Sequence, residues 1–128
     1  MLVPGETTGF GRTAAGVPVV LLPGAPAAWL LSYQLFAGRA IRRLGGRDPA
    51  LPYRSRTVTT ARKIVSSIGA TEICPVCLRS DGRIGPIASF AEIGLMAAVQ
   101  ADGFVIIPGA SEGYPSGASV TAYLYDEC

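Results

Sequence analysis

With 128 residues, 49% of them hydrophobic and only 16% charged, the chain is long enough for one domain or two small pieces and too apolar for disorder. A net charge of +2 without a long basic cluster gives no reason to expect nucleic acid. The absence of histidine excludes His-based acid–base chemistry, Ser-His triads and most zinc sites.

Residues 1–16 are rich in Gly and Thr and read as a loop with at most one short strand near its start. Such a backbone can approach a ligand closely, or simply lie in solvent. The first residues lack the basic and apolar regions of a signal peptide, so the cytoplasm is the expected compartment. Val17 to Leu22 is short, apolar and β-branched at its start, which predicts a strand buried on both faces. Pro23-Gly24 breaks it, and Pro26 sits where a first helical turn tolerates proline, because that N–H has no intrahelical partner anyway. From Ala27 the period becomes helical, with Leu30, Tyr33, Ala37, Ile41 and Leu44 on one face. Arg39, Arg42 and Arg43 suit the negative end of the helix, and Gly45-Gly46 supplies the stop. Strand, turn and helix together make half of a β-α-β unit, whose helix N-terminus favours anions. The stretch from Gly16 to Gly38 is uncharged, but Pro18, Pro23, Gly24 and Pro26 prevent a helix from crossing a bilayer there.

Residues 47–52 carry two prolines and read as a linker. Beyond it the pattern is β, with expected strands at 54–60, 63–67, 71–79, 83–90, 103–108 and 118–124. Ser80-Asp81-Gly82 predicts a hairpin, Pro75 an edge or a bulge, 93–101 a short helix and 111–117 a loop. Within 71–79, Cys74, Val76 and Leu78 are expected to share a face. Cys74 and Cys77 have Cys-x-x-Cys spacing, but positions three apart on a strand point to opposite faces, so ordinary reduced thiols are expected. The tally of short strands predicts a small barrel or sandwich. Asp102, Glu92 and Glu6 read as turn or surface residues rather than catalytic acids.

The stretch Leu22-Pro23-Gly24-Ala25-Pro26-Ala27-Ala28 resembles the Pro-Gly-Asn-Pro turn of the molybdopterin-binding domain of MoeA and the gephyrin E domain. The second half is similar as well. Ala101-Asp102-Gly103, the apolar run to Pro108, the turn at Ser116-Gly117 and the strand to Tyr125 follow the order of the MoeA C-terminal barrel domain. The resemblance runs from about Pro4 to Tyr125. It implies an α/β fragment over 1–46, the strand-turn-helix of a molybdopterin-binding domain, then the linker 47–52 and an all-β barrel-like domain over 53–128. On this reading the chain corresponds to the C-terminal third of such a protein, encoded separately or cut from a longer gene.

The implied role is molybdenum cofactor biosynthesis, with molybdopterin or adenylyl-molybdopterin as substrate. Pro4, Gly5, Pro23, Gly24, Ala25 and Pro26 are the implied substrate-binding residues. No catalytic residue is assigned. Magnesium and homodimers belong to the family, and the metal-binding acids of the motif have no counterpart in this sequence. The implied partner is a second copy or a separate upstream MoeA-like segment. Three positions depart from the pattern. The Lys-Pro-Gly-Lys-Pro segment aligns with Val3-Pro4-Gly5-Glu6-Thr7, Ala25 replaces Asn, and Ala91-Glu92-Ile93 stands at a Gly-Ser-Gly segment. Glutamate for lysine at an anion site turns attraction into repulsion, so the chain alone is not expected to act as a transferase. A non-catalytic binding or assembly module, and a remnant without function, fit the same residues.

Overall fold

The structure, a computed structural model, describes residues 1–87 and 94–125. It divides into two compact units: Gly5–Pro52, and Met1–Pro4 together with Tyr53–Cys128. The predicted partition shifts at both ends. Strand β1 (Leu2–Val3) leaves the first piece because its residues pair in parallel with Thr71 and Glu72. Residues 47–52 stay with the first piece, where Arg39 Nε donates to the Pro49 carbonyl at 2.7 Å and Arg47 N to the Arg42 carbonyl at 2.8 Å.

In the Gly5–Pro52 unit, β2 (Gly9–Arg12) and β3 (Pro18–Leu21) form an antiparallel hairpin in which Gly9 faces Leu21 and Arg12 faces Pro18. The expected loop over 1–16 therefore holds two strands. The strand expected to be buried on both faces is largely exposed, Leu21 by 62%. Its neighbour is a hairpin partner, and a two-stranded sheet has no second layer to cover it. No β-α-β pairing forms among the described residues.

Helix α1 (Pro26–Ser32) starts on Pro26, continues through a π-helical turn at Tyr33–Ala37 and runs on as α2 (Gly38–Leu44). Its buried side is Ala27, Ala28, Leu31, Ser32 and Leu35. Most of the expected face is the outer one, Leu30 and Ala37 being half-buried. Ile41 and Leu44 are 58% and 78% exposed, and Tyr33 stacks on Trp29 at the surface. Two causes act together. Ala27 to Leu31 is apolar all round, so spacing alone does not choose a side. The wider π turn then changes the phase of everything after it.

The second unit is sheet-dominated. Its elements are β4 (Arg54–Thr59), β5 (Ile64–Val65), β6 (Thr71–Leu78), β7 (Ile84–Pro86), α3 (Leu95–Gln100), β8 (Gly103–Ile107), β9 (Gly113–Tyr114) and β10 (Ser119–Leu124). Six strands form one sheet in the order β1-β6-β8-β10-β4, with β7 also on β6. Thr60, just past β4, bridges in parallel to Ile84, and Ala61 N donates to the Ile84 carbonyl at 2.7 Å. The sheet thus curls until the end of β4 meets β7 on its other side. Where a barrel or sandwich was expected, the ends join through one bridge rather than a continuous ladder.

The core follows from the register. Cys74, Val105 and Ala122 lie directly across one another, and with Val58, Ile64, Val76, Ile84, Ile107, Val120 and Leu124 they form the buried cluster. On the opposite face Pro75 pairs with Phe104 and Phe104 with Tyr123, where Tyr53 and Tyr125 add edge and tilted ring contacts. With both faces covered, β6 shows a continuous apolar run at Ile73–Val76. Leu78, expected on the Cys74 face, is exposed where that cover ends.

Pro75 sits in an interior strand, not at an edge. Its carbonyl accepts from Ile87 N at 3.0 Å, so its ring nitrogen points to the same side. On that side β1 reaches only Glu72 and β7 begins at Val76, so the missing donor falls in the gap between two ladders.

The shortest strands depart most from expectation. The run 63–67 reduces to β5, paired with β9 inside the expected 111–117 loop. The strand expected over 83–90 is β7 as far as Pro86, with residues 88–90 outside the described residues. The helix expected over 93–101 is α3, and Ile93 is outside the description. The hairpin after β6 forms as expected, with Gly82 at φ +78°, a conformation glycine adopts without strain.

Candidate functional site

The turn between β3 and α1 is built as its sequence suggests. Pro23 is buried, Gly24 is exposed, and Ala25 is extended at φ −71°, ψ 127° before Pro26 opens the helix. The Ala25 carbonyl accepts the first helical bond, from Trp29 N at 2.8 Å. The Ala25 side chain offers no cap, and no acid lies in the first turn. The N–H groups of Ala27 and Ala28 therefore stand without intrahelical acceptors at the positive end of the helix.

Pro4 and Gly5 fall on opposite sides of the division between the units. Gly5 is buried with φ +137°, and Thr8 N returns to its carbonyl at 2.9 Å. Gly5 N donates to Glu6 Oε2 at 3.0 Å. Hydrogen bonds from Glu6's own backbone, and then from Gly5, hold the exposed Glu6 carboxyl below the usual carboxylate range. The loop thus offers a carboxylate, already engaged on its own backbone, where the family pattern has a cation.

Sequence reasoning missed what anchors this loop. Thr8 Oγ1 and Ser32 Oγ lie 2.8 Å apart, and Ser32 is fully buried. The signal was present: Ser32 directly follows the apolar run Ala27 to Leu31, and a buried hydroxyl requires a partner. The tether reaches the helix six residues beyond Pro26, roughly 9 Å along its axis. The loop that follows Gly5 is thus fastened to the helix through Thr8, at Ser32. The Ala91-Glu92-Ile93 segment lies outside the described residues.

The remaining chemistry is sparse. Cys74 and Cys77 are separate free thiols. Burial, reinforced by the Glu72 charge, pushes the Cys74 thiol up to about 12, which makes it a poor nucleophile. Asp102 is structural, accepting from Leu78 N through Oδ2 at 2.6 Å while its backbone links β6 to Tyr125. Among the described residues no three His, Cys, Asp or Glu side chains converge, so these residues offer no magnesium cage. No helix among them is long and apolar enough to cross a membrane.

The second unit is thus a sheet-dominated β domain whose curled sheet opens on a parallel strand from the chain's first residues. Residues 57–125 match the MoeA C-terminal region (domain IV), and the chain belongs to the MoeA family. A Methanocaldococcus jannaschii protein provisionally assigned to molybdopterin biosynthesis is 27% identical over 121 residues, 94% of this chain and 27% of that protein. A molybdopterin molybdenumtransferase 2 of Mycobacterium tuberculosis is 41% identical over 59 residues, 45% of this chain and 14% of that protein. The solved structure of a molybdenum cofactor biosynthesis protein from Pyrococcus furiosus superposes with a TM-score of 0.77 at 26% identity. That match covers 97% of this chain and 42% of the other. The chain thus spans about a quarter of the Methanocaldococcus jannaschii relative.

Proposed function

We propose that this chain serves molybdenum cofactor biosynthesis as the C-terminal portion of a MoeA-type assembly, in which it helps to hold molybdopterin or its adenylylated form. The observation that carries the reading is the match of residues 57–125, most of the sheet unit, to the MoeA C-terminal region. Backbone N–H groups after Gly24 and Ala25 hold a phosphate or the pterin end, Pro23 and Pro26 fix the turn, and Pro4 and Gly5 shape the second loop. Magnesium, the rest of the pterin site and the transferase chemistry belong to an upstream segment or a second copy. The sheet unit is read as the family's small barrel, and the cytoplasm as its compartment, in keeping with the free thiols.

The experiment is amide hydrogen exchange on the assembled protein with and without molybdopterin. Slowed exchange over 24–30 is expected, and unchanged rates there would remove the site. A second reading, a non-catalytic assembly module, is favoured by the exposed Phe10, Leu21, Ile41 and Leu44. It expects the purified chain to sediment as an oligomer with no change in exchange at 24–30.

A further inference from the structure

The Gly5–Pro52 unit carries a second feature that the pterin reading does not use. Phe10, Leu35, Phe36, Arg39, Ala40 and Arg43, with Pro49, line an open groove of about 390 Å³. We propose that this groove binds a small aromatic molecule bearing a phosphate, gripped by Arg39 and Arg43 with its ring against Phe10 and Phe36.

Three observations converge on that class of ligand. The first is charge. Arg39 and Arg43 both line the groove and are one helical turn apart on α2, a spacing at which like charges repel. Both acids of the unit are engaged on backbone, Glu6 on Gly5 N and Asp48 on Ala50 N. No ion pair to either arginine forms among the described residues. A dianion between the guanidinium groups would relieve the repulsion and accept their paired donors.

The second is preorganisation. Arg39 is held by its Nε–Pro49 bond of 2.7 Å, which leaves the two terminal amino groups to bind. The third is the floor. Phe10 and Phe36 meet edge to face at 5.1 Å and 86°, and Phe10 remains 65% exposed, a ring surface open to stacking. Phe36 and Leu35 belong to the π-helical turn and line the groove with Arg39 and Ala40. Such turns recur at binding sites. A fully hydrated inorganic ion would use the arginines and leave this floor idle.

The test is a ¹⁵N–¹H titration of the full chain with phenyl phosphate to about 10 mM, compared with inorganic phosphate and phenol. The expected result is saturable shifts at Phe36, Arg39, Ala40 and Arg43, with inorganic phosphate and phenol each at least about fivefold weaker. The double substitution Arg39→Gln with Arg43→Gln should weaken binding about tenfold or more. Arg39→Lys, which keeps the charge and loses the fork, should fall between. Phe10→Ala, at an exposed position where folding is not at stake, should weaken it severalfold. No shifts, shifts elsewhere, equal binding of inorganic phosphate, or indifference to Phe10→Ala would overturn the proposal. So would groove shifts that follow protein concentration instead of ligand, which would mean that a second copy fills the groove. Exchange at 24–30 reads the pterin site separately, so the two proposals fail independently.

Discussion

The two units spend similar hydrophobic sequence in opposite ways. In the sheet unit Val76, Ile84, Phe104, Ile107 and Ala122 are sealed from solvent, because each strand there has neighbours and the sheet curls over its own face. In the Gly5–Pro52 unit a hairpin and a broken helix seal Leu31 and little else of comparable size, while Phe10, Val17, Leu21, Trp29, Ile41 and Leu44 face out. The difference teaches that hydrophobic pattern states what an element can bury. Whether it does so depends on how many layers the topology brings to it.

The sharpest way to break that comparison is at Gly103. A Cβ there would run into the Tyr123 carbonyl oxygen and press on the Leu124 backbone, so the strand would have to leave its register. Gly103→Ala is expected to cost roughly 4 kcal/mol or more, at the far end of single substitutions. Urea denaturation followed by near-UV absorption of the tyrosines reads it. A midpoint near that of the parent would show that the β8–β10 pairing is looser than described.

Next comes a pair within the Gly5–Pro52 unit. Leu31 is 1% exposed and Leu21 faces solvent on the hairpin. Leu31→Ala is expected to cost about 2–5 kcal/mol, and Leu21→Ala less than about 0.5 kcal/mol in a monomer. Tryptophan fluorescence from Trp29 reports on this unit. If Leu21→Ala costs as much as Leu31→Ala, the hairpin is covered in solution, and the assembly reading gains.

The same contrast decides what the sequence could reveal. The alternation of Val120, Ala122 and Leu124 with Ser119 and Thr121 was legible because β10 has one covered face. The Pro23–Pro26 turn was legible because proline and glycine act locally. Strand β9 was not, and the pairings of β1 and β5 were not, since a two-residue strand has no period and exists only through its partner. The buried side of α1 was not legible either: the Thr8–Ser32 bond and a π turn chose it, and neither follows from spacing. The same bond ties the loop after Gly5 to the helix through Thr8, a contact that resemblance to the family did not supply.

Alkaline pH separates the units by a smaller effect. Cys74 is pushed from an ordinary 9.0 up to about 12, chiefly by burial and then by Glu72. Tyr125 rises from 10.0 to about 12, by burial and then Tyr53. Both are acids whose proton the folded state retains. Their contribution is complete below pH 9 and is lost as pH rises from 9 to 12, because the unfolded chain releases protons first. The limiting slope is about 1.4 kcal/mol per pH unit for each group. Urea midpoints of the sheet unit should fall over that window, and Cys74→Ala should flatten the fall between pH 9 and 10. An unchanged slope in the variant would assign the effect elsewhere.

The smallest expected change lies in the sheet unit itself. Ser66 follows β5, is 8% exposed, and has a buried Oγ without a hydrogen-bond partner, although its backbone N donates to the Glu112 carbonyl at 3.0 Å. Ser66→Ala keeps that backbone bond and removes a desolvated hydroxyl, so stability should hold or rise by up to about 1 kcal/mol. Thr60→Val is the control, since Thr60 Oγ1 donates to the Pro115 carbonyl at 2.7 Å and accepts from Ala118 N at 3.0 Å. That loss should cost about 1–3 kcal/mol. If Ser66→Ala costs as much as Thr60→Val, the Ser66 hydroxyl has a partner in solution. The seal on the sheet unit would then be incomplete at the β5–β9 pair, where its shortest strands meet.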